Sequence, residues 1–598
     1  MDAGVRQSSE KSSLSLSLSL SCTGPINSAL TNCAHCWRCT AGDNDWPNDH
    51  PLYLACAADM MRMLRNHPSL LFWCGGNELL PKKGGAGWQM DLIDHKLRNL
   101  VSELDPGRFY VPSSMGTYTC KERNGCKWGP YAPDVKHNNT FSLAPSDGPY
   151  NILDEQQYYM PGAGGTVDAG GDNTGGGIVF QPETGNMATP TYASLQRFLS
   201  PKVVHDFPKH GADPEGHVNG THPVWAYHKY ITTTEKDKTK KPGTPGKYDH
   251  IYLYGPPADT PSYCKRGQLV QYVQYKALFE GYMEHMFAEP TRTATGIQYG
   301  YSAVIVWKSQ SPWPALRGAL YDSYLATTGG FWGVRAALQP LHVQLNLHTM
   351  SLTVINMGAA ASSALVVRVR AYAVPSGQEL ALPERLASVA VAPLDAVARR
   401  QLLLHHVPWP ETASADGMVL YRLELFDAAV DSEGTAAPLD SNSYWRSHPD
   451  AHQDYSVLAA SEHSAGGSEH ATTVALTATP VPGGEAPPLG RELEVEYALT
   501  LTNLGKSMAV GCFLEVSNMT ATAAAAAYQK NDGEQSVPAE ARLLPAWFDK
   551  NILSLLPGEK VTVQLRLSQA AMQVGSHMHG VTLSGWNIKS TSAMLPPN

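Results

Sequence analysis

Charge, cysteine and long apolar runs are all scarce in this chain. Charged residues make up 17% of its 598 positions and leave a net charge of −9. Gripping a phosphate backbone needs a basic face, so this balance excludes nucleic acid as the natural partner and is silent about uncharged ligands. No stretch approaches the roughly 20 consecutive apolar residues that cross a bilayer, so no membrane-spanning helix is expected. Ten cysteines in this length are too few for a disulfide scaffold. Cys33-Ala34-His35-Cys36-Trp37-Arg38-Cys39 sets three thiols and an imidazole at metal-ligand spacing, with Cys22 as a further thiol upstream. No second paired motif completes that set, and no metal is expected. Cys120 and Cys126 are spaced to close a small loop. A dinucleotide fingerprint, a phosphate loop and a zinc-hydrolase motif are also missing, so no cofactor is expected.

What is present describes a multidomain globular chain. At this length a single core is too few, and about three domains are expected. Residues 1–40 read as low complexity and disordered, because Ser13 to Ser21 alternates Ser and Leu with no turn signals. That run lacks the continuous apolar core and small-residue cleavage site of a signal peptide. Three glycosylation triplets, starting at Asn138, Asn219 and Asn518, point toward a secretory or vacuolar route.

From about Asp43 the pattern becomes regular. Asp49 with Pro51 behind it predicts a helix start, and Leu52, Cys56, Met60 and Leu64 recur at helical spacing up to His67-Pro68. The short apolar run Leu70 to Cys74 reads as a strand buried on both faces. Ile93, Leu97, Leu100 and Leu104 mark a second amphipathic helix, and Phe109-Tyr110-Val111 the next strand. Helix, strand, helix, strand at this spacing is the signature of a parallel α/β sheet. Residues 115–176 are loop-like. Residues 205–262 are rich in Lys, His, Pro and Gly, around a Pro223-Val224-Trp225-Ala226-Tyr227-His228 core. Leu269, Val273 and Ala277 mark a helix, and Tyr301 to Lys308 a strand followed by Pro312-Trp313-Pro314. After Leu341 the texture changes to alternating apolar runs separated by turns, which predicts antiparallel β-sandwiches. Ala459 to Gly467 reads as the linker between two of them, 341–458 and 468–598.

Two carboxylates stand at strand ends. Asn77 and Glu78 follow the Leu70–Cys74 run across two glycines, and Glu183 ends Ile178-Val179-Phe180-Gln181-Pro182-Glu183 before a capped, helix-like run through Tyr192, Leu195, Phe198 and Leu199. In a parallel α/β barrel the C-terminal strand ends are where the active site is built. Asp154, Glu155 and Glu280 compete for the second role on composition alone.

These stretches resemble the acid/base and nucleophile segments of glycoside hydrolase family 2, and the resemblance runs with gaps from about residue 41 to near the C-terminus. It implies a partial (β/α)8 TIM barrel over 41–340 followed by two immunoglobulin-like β-sandwiches. It implies a retaining glycosidase with Glu78 as acid and base and Glu183 as nucleophile. Asn77 would hydrogen-bond the sugar's 2-hydroxyl, and Trp307 would floor the sugar subsite. Where Gln181 stands the family more often has Asn. Two carboxyl groups about 5–5.5 Å apart carry out such a double displacement. Glu78 must be protonated at rest, and the apolar surface of Trp73 or Trp307 beside an anionic Glu183 is expected to raise its pKa. Within the family the C-terminal half is similar to the plant endo-β-mannosidases, notably from Trp307-Lys308-Ser309-Gln310 through Arg317-Gly318. That implies cleavage of the Man-β-1,4-GlcNAc bond of N-glycan cores, with β-glucosaminidase or simple β-mannosidase activity open. The family places further domains and three barrel strands before the acid/base strand, where this sequence has fewer than 80 residues. The expectation is therefore an N-terminally truncated sequence, or a partner chain completing the barrel. The alternative is a non-catalytic remnant that binds carbohydrate or a partner.

Overall fold

The computed structural model describes residues 49–596 with internal gaps, the longest being 130–153, 161–179, 208–223, 229–248, 482–493 and 520–541. The low-complexity segment, the Cys33–Cys39 cluster and the triplets at Asn138 and Asn219 lie outside the described residues.

Helix α1, His50–Leu64, starts where Asp49 accepts a hydrogen bond from the Leu52 N–H at 3.0 Å. The Asp49 side chain satisfies one of the orphan donors of the first turn, and Pro51 sits where no N–H is needed. The apolar stripe identifies the helix but not its buried side. Leu52 is 62% exposed, while Ala57, Ala58 and Met61 are buried. Strand β1, Phe72–Cys74, pairs in parallel with β2, Phe109–Val111, across helix α2, Leu92–Leu104. Ile93, Leu97 and Val101 form the buried face of α2. Arg108 locks this unit, donating to the carbonyls of Leu70, Arg65 and His67 and to the Asp105 carboxylate. Further on, two short strands pair with Cys120 opposite Cys126.

Strand β3, Phe180–Thr184, leads into one turn of helix, α3, Tyr192–Leu195, and Pro201 opens another, Pro201–Val204. The helix-like run expected through Leu199 is regular helix only over Tyr192–Leu195 and continues as turns, and the helix opened by Pro201 lies beyond it. Helix α4, Thr260–Met286, is 27 residues long, about 40 Å at 1.5 Å per residue. Strand β4, Ala303–Val306, pairs in parallel with β3. Helix α5, Gly329–Ala337, packs tightly on α4: a Cβ at Gly329 would stand 1.9 Å from the Gln268 carbonyl, and one at Gly333 2.2 Å from that of Tyr272.

The remainder is antiparallel sheet. In one unit, strands β5 (Leu341–Leu345), β6 (Leu352–Asn356) and β8 (Arg399–Leu404) lie in that order. They face a sheet built on β7 (Leu365–Val374), β9 (Met418–Asp427) and β10 (Asp440–Ser447). Val343, Leu345 and Val354 meet Val367, Val369, Leu423 and Leu425 in the shared core. In the second unit, β11 (Val474–Pro480), β12 (Glu494–Asn503), β16 (Lys560–Ser568) and β14 (Ala546–Phe548) form one sheet in the order β11-β12-β16-β14. The other has the order β15-β13-β17-β18, from β13 (Ala509–Asn518), β15 (Leu553–Leu555), β17 (His579–Ser584) and β18 (Thr591–Met594). Alternation is strict on β12, where Val495, Tyr497, Leu499 and Leu501 are buried and Glu494 and Glu496 exposed. That is the period-2 pattern of a sheet with one face on the core. The stretch between the units opens as a helix, Val457–Ser461, with Leu458 and Ser461 fully buried, while residues 462–469 lie outside the described ones.

Helix α4 is the spine of the assembly. Leu269 and Val270 belong to the core that includes the second sheet unit, and Tyr275 to Met283 contribute to the core of the first.

Candidate active site

Of the four residues singled out for chemistry, Asn77, Glu78 and Trp307 lie outside the described residues. Glu183 is placed by its backbone, as the penultimate residue of β3. The parallel register pairs Phe180 with Ala303, Gln181 with Val304 and Thr184 with Val306, with an irregularity between the last two pairs. Glu183 therefore sits on β3 at a break in the ladder, and the strand beside it ends one residue before Trp307. Thr184 and Gly185 behind it are buried, as is Thr189, whose carbonyl accepts from both Gln268 and Gln271 of α4.

Trp73 is one of the two rings expected beside Glu78, which itself lies outside the described residues. The Trp73 ring is buried among Ala57, Met61, Leu97 and Val101 on the helix side, and its indole N–H donates to Asp105 at 2.8 Å.

The competing carboxylates have other duties. Asp154 caps the short 3-10 turn Glu155–Tyr159, accepting from the Gln156 N–H. Glu155 is 3% exposed and accepts from Arg446, Gln453 and the Tyr455 hydroxyl. Burial raises its pKa, against the pull of Arg446. Glu280 is fully buried and accepts from Tyr159 at 2.5 Å, Tyr444 at 2.8 Å, Asn442 at 2.9 Å and His342 at 3.1 Å. Burial alone would raise its pKa, but Lys276, then His342 and Tyr159, hold it down at about 2. The other nitrogen of His342 faces Asp440 at 2.9 Å. Burial opposes the imidazolium, yet Asp440 and Glu280 outweigh it and raise its pKa to about 9. A carboxylate so enclosed cannot reach a substrate. It ties α4 to β5 and β10.

Beyond β4, aromatic rings gather where sequence reasoning had marked Trp313 and the Trp225–His228 stretch. Trp313, 38% exposed, stacks on His228 with centroids 6.1 Å apart. His228 packs on Phe198, and Phe198 on Tyr324, whose other neighbour is the Arg197 guanidinium, 4.1 Å from the ring centroid. The exposed Trp313 ring suits the C–H surface of a sugar. Phe198 is marked in the sequence only as part of a helix-like run and Tyr324 not at all, because no periodicity links residues so far apart in the chain. A cavity of about 120 Å³ lies elsewhere, between α3 and α4 and the second sheet unit. Glu515 is the single carboxylate among the described residues that line it. Among the described residues no group of His, Cys, Asp or Glu is arranged to hold a metal.

No family model matches the chain. It is 33% identical over 330 residues to a mannosylglycoprotein endo-beta-mannosidase of Lilium longiflorum, covering 52% of this chain and 29% of that one. It is 25% identical over 560 residues to an exo-beta-D-glucosaminidase of Streptomyces avermitilis, covering 92% of this chain and 51% of that one. Among solved structures, the fold is shared with the exo-chitosanase of Amycolatopsis orientalis at a TM-score of 0.63 and 19% identity, over 92% of this chain and 54% of that one. It is also shared with a beta-D-mannosidase of Dictyoglomus thermophilum, at a TM-score of 0.53 and 15% identity, over 91% and 51%. The chain spans about half the length, or less, of the curated relatives it matches. The chain is thus similar in sequence to proteins named mannosylglycoprotein endo-beta-mannosidase and exo-beta-D-glucosaminidase, and it shares a fold with a solved exo-chitosanase and a solved beta-D-mannosidase.

Proposed function

We propose that the chain carries part or all of a retaining β-glycosidase site acting on β-mannosidic bonds, with Man-β-1,4-GlcNAc of N-glycan cores as the substrate. The architecture that goes with this reading is a partial (β/α)8 barrel over 41–340 and immunoglobulin-like sandwiches over 341–458 and 468–598. Support for the residues comes from one observation above all: β3, carrying Glu183 at its end, runs parallel and adjacent to β4, which leads directly into Trp307. Support for the substrate is the likeness to the Lilium protein.

In this mechanism Glu183 attacks the anomeric carbon, while Glu78 protonates the leaving oxygen and then activates the water that releases the sugar. Asn77 holds the 2-hydroxyl in a contact that strengthens as positive charge develops. Trp307, with the Trp313 ring further out, stacks on the sugar. Exo-β-glucosaminidase activity is the second reading, favoured by the longer span of similarity to the Streptomyces protein. A non-catalytic, carbohydrate-binding role is the third.

The test is product release from a Man-β-1,4-GlcNAc glycan and from a chitosan oligomer, comparing the chain with Glu183→Gln. Turnover of the first substrate and its loss by several orders of magnitude in the variant is the expected result. Turnover of chitosan alone selects the second reading. No turnover of either by the folded chain, with retained glycan binding, selects the third.

A further inference from the structure

Arg542 belongs to the second sheet unit, where its backbone bridges to Ser517 of β13. Its side chain leaves that unit. The guanidinium donates to Thr191 Oγ1 at 3.1 Å and to Ser194 Oγ at 2.8 Å, across 348 residues of sequence in the second case. Thr191 caps α3, its hydroxyl accepting from the Ser194 N–H. Ser194 passes the contact on, donating to Asp322 Oδ2. The other oxygen of Asp322 accepts from the N–H groups of Tyr324 and Ala326, fixing a turn that starts 16 residues past the end of β4 and beside Tyr321, which bridges back to Gln310. Glu515 of β13 stands 3.6 Å from the same guanidinium, and the Arg542 side chain is 2% exposed. Ser194 and Asp322 are buried as well.

These contacts join three places. Helix α3 is the first element after the Glu183 strand. The Asp322 turn starts 16 residues past the strand that leads to Trp307. The cation that links them comes from the far end of the chain. We infer that Arg542 is a positioning residue for the proposed glycosidase site, clamping the segment behind Glu183 to the segment behind Trp307 and so making the second sheet unit part of the site's geometry.

The inference rests on the reading of Glu183 and Trp307 given above. Its physical basis is the planar fork of arginine. Two N–H groups at fixed separation reach two hydroxyls at once, and a lysine ammonium offers only a point charge. Thr189 is also held, through its carbonyl, by Gln268 and Gln271, so the segment is tied both to α4 and to the second sheet unit. Displacing a catalytic group by about 1 Å costs about 100-fold in rate.

The experiment compares the full chain with Arg542→Met, Arg542→Lys and Arg422→Met. The last removes a different inter-unit contact, the Arg422–Glu559 pair at 2.8 Å. Backbone hydrogen exchange over 189–195 and 322–326 is read alongside kcat and KM on an aryl β-mannoside and an aryl β-glucosaminide. Arg542→Met is expected to speed exchange at both segments by about tenfold or more, and to lower kcat by about 100-fold with little change in KM. Arg542→Lys should fall between, with an unchanged melting temperature, and it carries the test if the Met variant does not fold. Arg422→Met should leave both segments as they were. Unchanged exchange at 189–195 in the Arg542 variants overturns the clamp, as does an equal rise in Arg422→Met. Faster exchange with no turnover by any form, wild type included, removes the catalytic assignment and leaves a structural tie alone.

Discussion

At the scale of single residues, burial and partners separate carboxylates that composition leaves equivalent. Glu155, Glu280 and Glu183 are all glutamates in the α/β portion, but Glu280 has four side-chain donors and no contact with solvent. Glu280→Gln keeps the shape and removes the charge that compensates His342 and Lys276. Breaking a buried charged set in this way costs about 3–5 kcal/mol. A chemical-denaturation midpoint should fall accordingly, whereas Glu183→Gln is expected to change activity and hardly move that midpoint. A Glu280→Gln protein as stable as wild type would mean that the network contributes little.

Single elements obey close-approach limits. Helices α4 and α5 touch through glycines four residues apart, Gly329 and Gly333, each against an α4 carbonyl. The carbonyls are backbone and cannot swing aside. Gly333→Ala is expected to destabilise the protein by about 1–3 kcal/mol through overpacking, although alanine has the better helix propensity. Thermal unfolding checks this, and a gain in stability would show that the helices separate freely.

The tie between α4 and β5 also has a pH signature. The pKa of His342 is about 9 in the fold, above its ordinary value. Its contribution is thus fully present below about 6.5 and is lost as pH rises through 9. Lys276 is shifted the other way, chiefly by burial, to about 8, so its own penalty begins to lift only above that pH. Between about pH 6.5 and 8 the histidine dominates, and stability should drop by about 2 kcal/mol. The slope should vanish in His342→Gln; a slope that persists there would assign it elsewhere.

Across the whole molecule, the two cores share α4. One contains Leu195, Trp225, Leu269, Tyr455, Leu565 and Trp586; the other contains Tyr159, Tyr275, Met283, Val343 and Tyr421. The Trp586 indole donates to the Leu458 carbonyl at 2.6 Å, and Arg422 pairs with Glu559 between the sheet units. With apolar burial continuous through these contacts, residues from α3 to the C-terminus should melt together. Calorimetry is expected to show one cooperative transition for them, with α1, β1, α2 and β2 free to open separately, since their core is Ala57, Met61, Trp73, Leu97 and Val101. Separate transitions for the two sheet units would contradict this.

The amino-acid sequence by itself determined where elements begin and what kind they are. Asp49 and Pro51 mark the start of α1, Ile93 and Leu97 the apolar stripe of α2, and the alternating apolar runs after Leu341 the antiparallel sheets, because caps and periodicity are local properties of the chain. It also singled out Glu183 at a strand end. Only the tertiary structure decided which surface each element buries and which charges meet. It turned α1 onto Ala57 and Met61 and left Leu52 in water. It sent Trp73 to Asp105 on the helix side, enclosed Glu280 among residues up to 164 positions away, and brought Arg542 to Ser194. Those outcomes depend on pairs of groups far apart in the chain, whose meeting no local pattern records.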